Sequence, residues 1–239
     1  TFQNECAAIR IDDQLCKQGK GITLYSSFKQ NLKGDKIYTV FEDSEGDEWI
    51  LTNKGISIIG KKQVDSDFPF QYIKEADGII YLVSQSDKLA SYNFKTRQFK
   101  FIEIPYHVSM INEVKKFDSN TLLLATDNGL IIYKIKEKEF QLIDIRTSTQ
   151  PSNVVQSVYQ DHYKELWIFP QTTGVIRYNP STKEMQHLFT PANEVIRYER
   201  KNKNVIFEDR QHTLWVLPPE GNLSYYDREN KELKPMLKD

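Results

Sequence analysis

The residues that could carry out acid–base, metal or nucleophilic chemistry are few in this sequence and widely separated. The four histidines lie at His107, His162, His187 and His212, and none has the spacing of a paired zinc-ligand motif such as HExxH. No GxSxG nucleophile elbow and no phosphate-binding Walker loop is present. We therefore predict that this region has no catalytic residue, binds no metal and uses no cofactor.

Paired carboxylates recur along the chain, as Asp12–Asp13, Glu42–Asp43 and Glu208–Asp209. Two neighbouring carboxylates can serve as general acid and general base when their environments differ. Here the pairs occupy the same place in successive repeats, whereas an active site is unique. The repetition favours a turn at a strand end, where an Asp side chain accepts backbone hydrogen bonds. We interpret His162 and His212, which follow the same kind of Asp, as turn residues rather than ligands or bases.

The elements that position these residues are copies of one strand–turn–strand pattern. Each good copy has a short β-type run, a polar turn led by Asp, a second run through a tryptophan, a turn with glycine and a third run. Repetition of this kind indicates a modular fold. The aspartates Asp43, Asp161 and Asp209 stand six residues before Trp49, Trp167 and Trp215, and Gly55, Gly174 and Gly221 follow these tryptophans by six, seven and six residues.

Three weaker copies extend the pattern to six units. The first has a shortened turn after Asp13 and no tryptophan, and in the third Tyr81 stands in place of the tryptophan. In the fourth, the segment Thr126–Leu130 parallels Thr52–Ile56 of the second. The third runs align in one mostly aromatic column, formed by Tyr25, Ile59, Tyr92, Tyr133, Tyr178 and Tyr225. The predicted units cover about residues 7–33, 34–67, 68–103, 104–145, 150–192 and 200–237.

Four short strands in a unit of about 40 residues are typical of one blade of a β-propeller. We predict an all-β fold, a β-propeller of four-stranded meander blades, with residues 1–239 forming a single propeller domain or an excerpt of one. The sequence leaves open a six-bladed ring or a part of a seven-bladed ring. Runs such as Leu122–Leu124 are apolar without alternation, as expected for strands covered on both faces. The repeated aromatic residues, including Trp215, are therefore expected to be core anchors.

Composition excludes several classes of function. The 32 basic and 33 acidic residues give a net charge of -1, which argues against a nucleic-acid or polybasic membrane surface. No stretch approaches the roughly 20 apolar residues of a membrane span, and no signal peptide is visible. The two cysteines, Cys6 and Cys16, are either free and buried or joined by one bridge, and the sequence does not decide between these states.

The best copy, Glu42–Ile56, reads EDxxGxxWIxTxxGI and resembles the two-component regulator propeller repeat. That repeat fills the periplasmic sensor region of hybrid two-component histidine kinases of Bacteroidetes. Glu208–Asp209 with Trp215 gives a second match, and Asp161 with Trp167 a third. The first and third copies depart from the repeat.

The resemblance implies a sensor rather than an enzyme in this region, within a full-length histidine kinase. It implies a periplasmic portion of an inner-membrane protein that recognises an oligosaccharide and signals across the membrane. The implied partners are that oligosaccharide, a second propeller and an immunoglobulin-like domain of the same chain, and a second copy in a homodimer. No nucleic-acid partner is implied.

In a propeller, the loops between the second and third strands and the loops between blades open on the same face. On these loops we predict a ligand-binding role for Tyr106, His107, Arg146 and Gln171, whose side chains suit a sugar. In the family the site can also lie between propellers. Two alternatives remain: a structural or protein-interaction propeller that mediates dimerisation, and a propeller lyase or glycan hydrolase with converging acidic or histidine residues.

Overall fold

The computed structural model describes residues 7–11, 22–26, 32, 34, 36–60, 68–76, 79–84, 86–93, 96, 98–148, 150–172, 174–188, 205–217 and 223–236. These residues form β-strands, turns and extended connections, and no helix occurs among them. Within this described part, no helix is long and apolar enough to cross a membrane. Cys6, Cys16 and Gly221 lie outside the described residues. Whether the two cysteines are free or joined by a disulfide bond is therefore not tested.

Two compact units divide the chain, residues 1–105 with 118–120 and residues 106–117 with 121–239. The described part of the first unit contains antiparallel sheets of two, three and four strands. The strands of these sheets are, in order, β1 (Ala7–Ile11) and β2 (Ile22–Ser26); β3 (Ile37–Glu42), β4 (Glu48–Thr52) and β5 (Gly55–Ile59); and β6 (Tyr72–Ala76), β7 (Ile79–Val83), β8 (Leu89–Asn93) and β9 (Gln98–Ile102).

The second unit contains three four-stranded antiparallel sheets in its described part. They comprise β10 (Ile111–Asp118), β11 (Thr121–Thr126), β12 (Gly129–Lys134) and β13 (Glu139–Ile143); β14 (Val155–Gln160), β15 (Leu166–Pro170), β16 (Val175–Tyr178) and β17 (Met185–Leu188); and β18 (Val205–Glu208), β19 (Leu214–Leu217), β20 (Ser224–Asp227) and β21 (Glu232–Pro235). Strands that are consecutive in sequence are neighbours in every sheet. Each four-stranded sheet is therefore a meander, the form of a propeller blade.

The core of each unit lies between successive sheets. In the first unit Trp49 and Leu51 pack with Ile73, Ile80 and Tyr92 of the sheet that follows. In the second unit one apolar cluster joins the β10–β13 sheet to the β14–β17 sheet, and another joins the β14–β17 sheet to the β18–β21 sheet. Every residue of β11 and of β15 is buried. This confirms the prediction that strands without alternation are covered on both faces.

The six-residue spacing between Asp and Trp has a direct structural cause. Trp49 Nε1 donates to Asp43 Oδ2 at 2.8 Å. The same bond joins Trp167 to Asp161 at 3.0 Å and Trp215 to Asp209 at 2.8 Å. In all three copies the other carboxylate oxygen accepts hydrogen bonds from backbone N–H groups of the turn. The interpretation of Glu42–Asp43 and Glu208–Asp209 as residues of a turn at a strand end is confirmed. The pair Asp12–Asp13 lies outside the described residues.

The glycine turns of the second and fourth copies are also alike. Thr52 Oγ1 donates to Gly55 O at 3.0 Å and accepts from Lys54 N at 3.2 Å. Thr126 makes the same two bonds with Gly129 O at 2.7 Å and Asn128 N at 3.0 Å. The parallel drawn between these two segments from sequence is confirmed.

Two residue assignments made from the sequence are wrong. Tyr178 lies opposite Leu166, the residue before Trp167, whereas Tyr225 lies opposite Trp215 itself. The residue equivalent to Tyr178 is therefore Tyr226, and because both candidates are tyrosines the residue type did not reveal the one-residue shift. Trp215 is only half-buried, while Trp49 and Trp167 are fully buried, because no described sheet of the second unit covers its face.

Candidate functional site

The connections at one end of the sheets in the second unit form a hydrogen-bonded rim. Asn128, in the turn between β11 and β12, donates through Nδ2 to His107 O at 2.9 Å. Its Oδ1 accepts from Asn153 Nδ2 at 2.9 Å, and Asn153 Oδ1 accepts from Ile145 N at 2.9 Å. These bonds tie the connection before β10 to the connection before β14. We call this set of connections, residues 105–110, 127–128, 144–148, 150–154 and 171–172, the loop rim.

A buried glutamine extends the loop rim to the next turn. Gln150 Nε2 donates to Ser152 O at 3.0 Å, and Gln150 Oε1 accepts from Thr172 Oγ1. The neighbouring Gln171 donates its backbone N–H to Val154 O at 2.9 Å. The buried Gln150 and Asn153 therefore hold the loops in place. Sequence reasoning missed this role, because the type of a polar loop residue does not reveal its burial.

The four predicted ligand residues occupy different positions on the loop rim. His107 and Gln171 are exposed, and both are fixed through their backbones. Arg146 is exposed and pairs with Asp144, with Nε 2.9 Å from Oδ1, and this hydrogen bond lowers the pKa of Asp144. The Tyr106 hydroxyl donates to Phe140 O at 3.0 Å, on the outer strand β13. The structure thus places all four residues on one set of linked loops, with the Tyr106 hydroxyl bonded to β13. Their ligand role stays a prediction.

The opposite end of the β14–β17 and β18–β21 sheets carries a cluster of ionic groups. Arg228 donates to Asp161 Oδ2 at 2.8 Å and to Glu165 Oε2 at 3.1 Å, and Arg177 Nε donates to Glu165 Oε2 at 2.8 Å. Burial raises the pKa of Glu165, but hydrogen bonds and charges from Arg177 and Arg228 outweigh it and leave the pKa lowered. The Arg228 guanidinium also lies 4.0 Å from the centroid of the Tyr163 ring. Arg228 therefore fastens the last sheet to the preceding one.

Beside this cluster, two histidines from equivalent turns stack on each other. The rings of His162 and His212 are 3.7 Å apart between centroids, with planes inclined by 17°. Glu208 lies beside both turns: its Oε2 accepts from His162 N at 2.8 Å, and its Oε1 lies 3.3 Å from His212 Nδ1 without a hydrogen bond. In the sequence, only the similar positions of the two histidines after their turn aspartates indicate this contact. Tyr159, Gln160, Asp161, His162, Lys164, Glu208, Asp209 and His212 line an open cleft of about 400 Å³ here.

Both histidines of this histidine cleft lie in the turns led by Asp161 and Asp209, and His212 has a left-handed backbone with φ of 62°. Their turn positions are therefore confirmed, and the absence of a role as ligand or base stays a prediction. No group of three or more His, Cys, Asp or Glu side chains in the described ranges is placed to hold a metal ion.

Comparison with known proteins shows that this chain is similar to part of a histidine kinase. No protein-family model matches it. A curated relative, Histidine kinase P4 from Formosa agariphila, is 22% identical over 196 residues. That alignment covers 82% of this chain and 12% of the relative, so the chain spans a small part of the relative's length.

Solved structures decide the fold class. The extracellular domain of the hybrid two-component system BT3049 from B. thetaiotaomicron has a TM-score of 0.60 at 17% identity, with 85% of this chain and 30% of that chain covered. That of BT4673, from the same species, has a TM-score of 0.50 at 17% identity, with 92% and 38% covered. Virginiamycin B lyase from Staphylococcus aureus has a TM-score of 0.63 at 16% identity, with 100% and 87% covered.

The fold class is the β-propeller. This confirms the fold predicted from the repeat, and the resemblance to two-component sensor regions is confirmed by the two extracellular domains and the histidine kinase relative. The chain spans between 30% and 38% of the lengths of those two extracellular domains. At these identities, the likeness to the propeller structures establishes fold alone.

Proposed function

We propose that this propeller region is part of the periplasmic sensor region of a hybrid two-component histidine kinase, and is itself non-catalytic. The observation that carries the proposal is the similarity to Histidine kinase P4 over 82% of this chain. The fold likeness to extracellular domains of two B. thetaiotaomicron systems supports it. The kinase machinery, an inner-membrane anchor, a second propeller and an immunoglobulin-like domain would belong to the rest of the protein, which would act as a homodimer.

The proposed ligand is an oligosaccharide bound at the loop rim. Sugar hydroxyls both donate and accept hydrogen bonds, so a site needs polar groups that are held in fixed positions. His107, Arg146 and Gln171 are exposed on loops that Asn128, Gln150 and Asn153 fasten from below. Tyr106 would contribute its ring, and its hydroxyl could accept a hydrogen bond from the sugar, since the O–H already donates to Phe140 O.

A thermal-shift experiment with purified oligosaccharides tests this proposal. A ligand that binds only the native state stabilises it by about 2.7 kcal/mol at 100 times its dissociation constant. We expect one glycan class to raise the melting temperature of this chain. The combined substitution of His107, Arg146 and Gln171 by Ala should abolish the shift, whereas Glu139→Ala, at an exposed residue of the outer strand β13, should preserve it.

The other outcomes each favour a different function. A shift in the complete extracellular region but not in this chain would place the ligand site elsewhere. A shift in neither would favour a protein-interaction propeller that mediates dimerisation. In that case, mutating exposed residues that contact the partner copy would abolish signalling.

A second candidate is a lyase, and two observations favour it. The virginiamycin B lyase structure matches this chain over its full length, and in the histidine cleft the His212 imidazole, stacked on His162, lies 3.3 Å from Glu208 Oε1. A lyase needs a group that removes a proton, and a histidine next to a carboxylate can act in that way. Incubation with virginiamycin B, followed by chromatography, tests it. Turnover that His212→Ala abolishes would support the lyase, and intact substrate would reject this activity.

A further inference from the structure

Trp49 and Trp167 each pack on the next sheet of their unit, and both do so through the same edge-on contact with a tyrosine. In the first unit the Trp49 ring meets the Tyr92 ring of the following sheet edge-on, at 5.5 Å between centroids and 73° between planes. In the second unit Trp167 meets Tyr226 of the following sheet at 4.8 Å and 73°. Tyr92 and Tyr226 occupy equivalent positions on the third strands of their sheets. The contact is therefore heterologous: the face of one sheet that carries the tryptophan packs on the face of the next sheet that carries the tyrosine.

The β18–β21 sheet also has an apolar face around its tryptophan, Trp215, and several side chains of this face are exposed to solvent. Val205, Phe207 and Leu217 are exposed by 52%, 47% and 40%. The register pairs Val205 with Leu217, Phe207 with Trp215, and Trp215 with Tyr225, so these five side chains share one face. We call them the open apolar face.

Equivalent positions in the preceding sheet are buried. Trp167 corresponds to Trp215, and Phe169 to Leu217, because both pairs stand at the same distance after their turn aspartates. Trp167 and Phe169 are 0% and 2% exposed beneath the β18–β21 sheet. The indole N–H of Trp215 is already bonded to Asp209, so nothing polar on this ring requires water. The open apolar face thus has the chemistry of an interior surface.

We infer that the open apolar face docks a further antiparallel four-stranded sheet of the same protein. That sheet lies on β18–β21 as β18–β21 lies on β14–β17, and an aromatic residue of its third strand meets Trp215 edge-on. Another copy docking through its own tryptophan face would not reproduce this arrangement, because both observed contacts join a tryptophan face to a tyrosine face. This docking would occur whether or not the region acts as a sensor.

Hydroxyl-radical labelling with mass spectrometry tests the inference. The 239-residue chain and the full-length protein that contains it are labelled under the same conditions. We expect Phe207 and Leu217 to be labelled in the chain and protected at least about fivefold in the full-length protein, since burial removes side chains from solvent. Tyr163, which is 55% exposed beside His162, is the internal reference. Equal labelling of Phe207 in both proteins would overturn the inference, and so would protection in the chain that grows with its concentration, which indicates self-association.

A pair of charge substitutions gives an independent readout. Leu217→Lys should leave the melting temperature of the 239-residue chain nearly unchanged, because its side chain is exposed there. In the full-length protein it should lower the melting temperature by several degrees, since the lysine would be buried without a partner. Glu139→Lys, at an exposed residue of the outer strand β13, should leave the melting temperature of both proteins unchanged. A Leu217→Lys effect that is the same in both proteins would contradict the docked sheet.

Discussion

At the scale of single residues, the turn aspartate stabilises the protein through its indole partner. Asp43 accepts the indole N–H of a fully buried tryptophan and two backbone N–H groups. Asp209 makes the same bonds, but Trp215 is half-buried. A buried donor left without an acceptor costs roughly 1–3 kcal/mol, whereas a donor that reaches water costs less.

We therefore predict that Asp43→Ala destabilises the protein more than Asp209→Ala does. The difference should be about 1 kcal/mol in the free energy of unfolding, since water replaces the carboxylate only near Trp215. Urea denaturation of both variants measures it. Equal losses would mean that the turn bonds, common to both sites, carry the whole effect.

The ion cluster around Glu165 predicts a dependence of stability on pH. Burial raises the pKa of Glu165, but Arg177 and Arg228 leave it below the value in the unfolded chain, about 4.3. A carboxyl group with a lowered folded pKa stabilises the fold above its unfolded pKa, and this contribution disappears as the pH falls through the folded pKa. Stability due to Glu165 should thus be complete above about pH 5 and decrease below about pH 4.3.

Glu165→Gln should remove this part of the acid dependence and destabilise the protein by about 3 kcal/mol at neutral pH, because Arg177 loses its carboxylate partner. Denaturation of both proteins between pH 3 and 7 tests this. An acid slope that is unchanged in the variant would show that other carboxylates produce it.

At the scale of elements, the sequence predicts turns better than register. The likeness of the Thr-led glycine turns was predicted from five aligned positions, because their bonds are local. The choice between Tyr225 and Tyr226 depended on the number of residues between β19 and β20, and a one-residue shift reverses the face of every side chain. The stack of His162 on His212 and the Asn128–Asn153 bond join separate repeats, so no local pattern reveals them.

The glycine turn gives a prediction at this scale. Gly129 has a φ of 95°, and a Cβ there would meet Ile143 O at 2.6 Å. Gly46 has a φ of 85°, with no atom within 4 Å of such a Cβ. Both Ala substitutions strain the backbone by about 1 kcal/mol, but Gly129→Ala adds a clash with a backbone carbonyl.

Gly129→Ala should therefore cost at least about 1 kcal/mol more than Gly46→Ala, because strand β13 must move to accept it. Thermal unfolding of the two variants provides the comparison. A similar loss in both would show that β13 moves at little cost.

At the scale of the whole molecule, a tryptophan contributes to stability according to the sheet that covers it. The sequence predicted equal anchors from equal spacing, because a repeat implies equal neighbours. Trp167 has the β18–β21 sheet above it, and Trp215 has none among the described residues of its unit. Trp167 and Trp215 occupy equivalent positions in the repeat but differ in burial, because burial depends on whether another sheet covers the residue.

Trp167→Ala should cost about 3–5 kcal/mol in this chain, the usual loss for a fully buried aromatic side chain. Trp215→Ala should cost about half as much, since its half-exposed ring leaves a smaller cavity. Chemical denaturation of the two variants tests the difference, with Phe101→Ala, at a largely exposed position, as the control. In the full-length protein the cost of Trp215→Ala should rise to that of Trp167→Ala, because a docked sheet would complete the same interior around it. A cost that stays low there would leave Trp215 a surface residue in the complete protein.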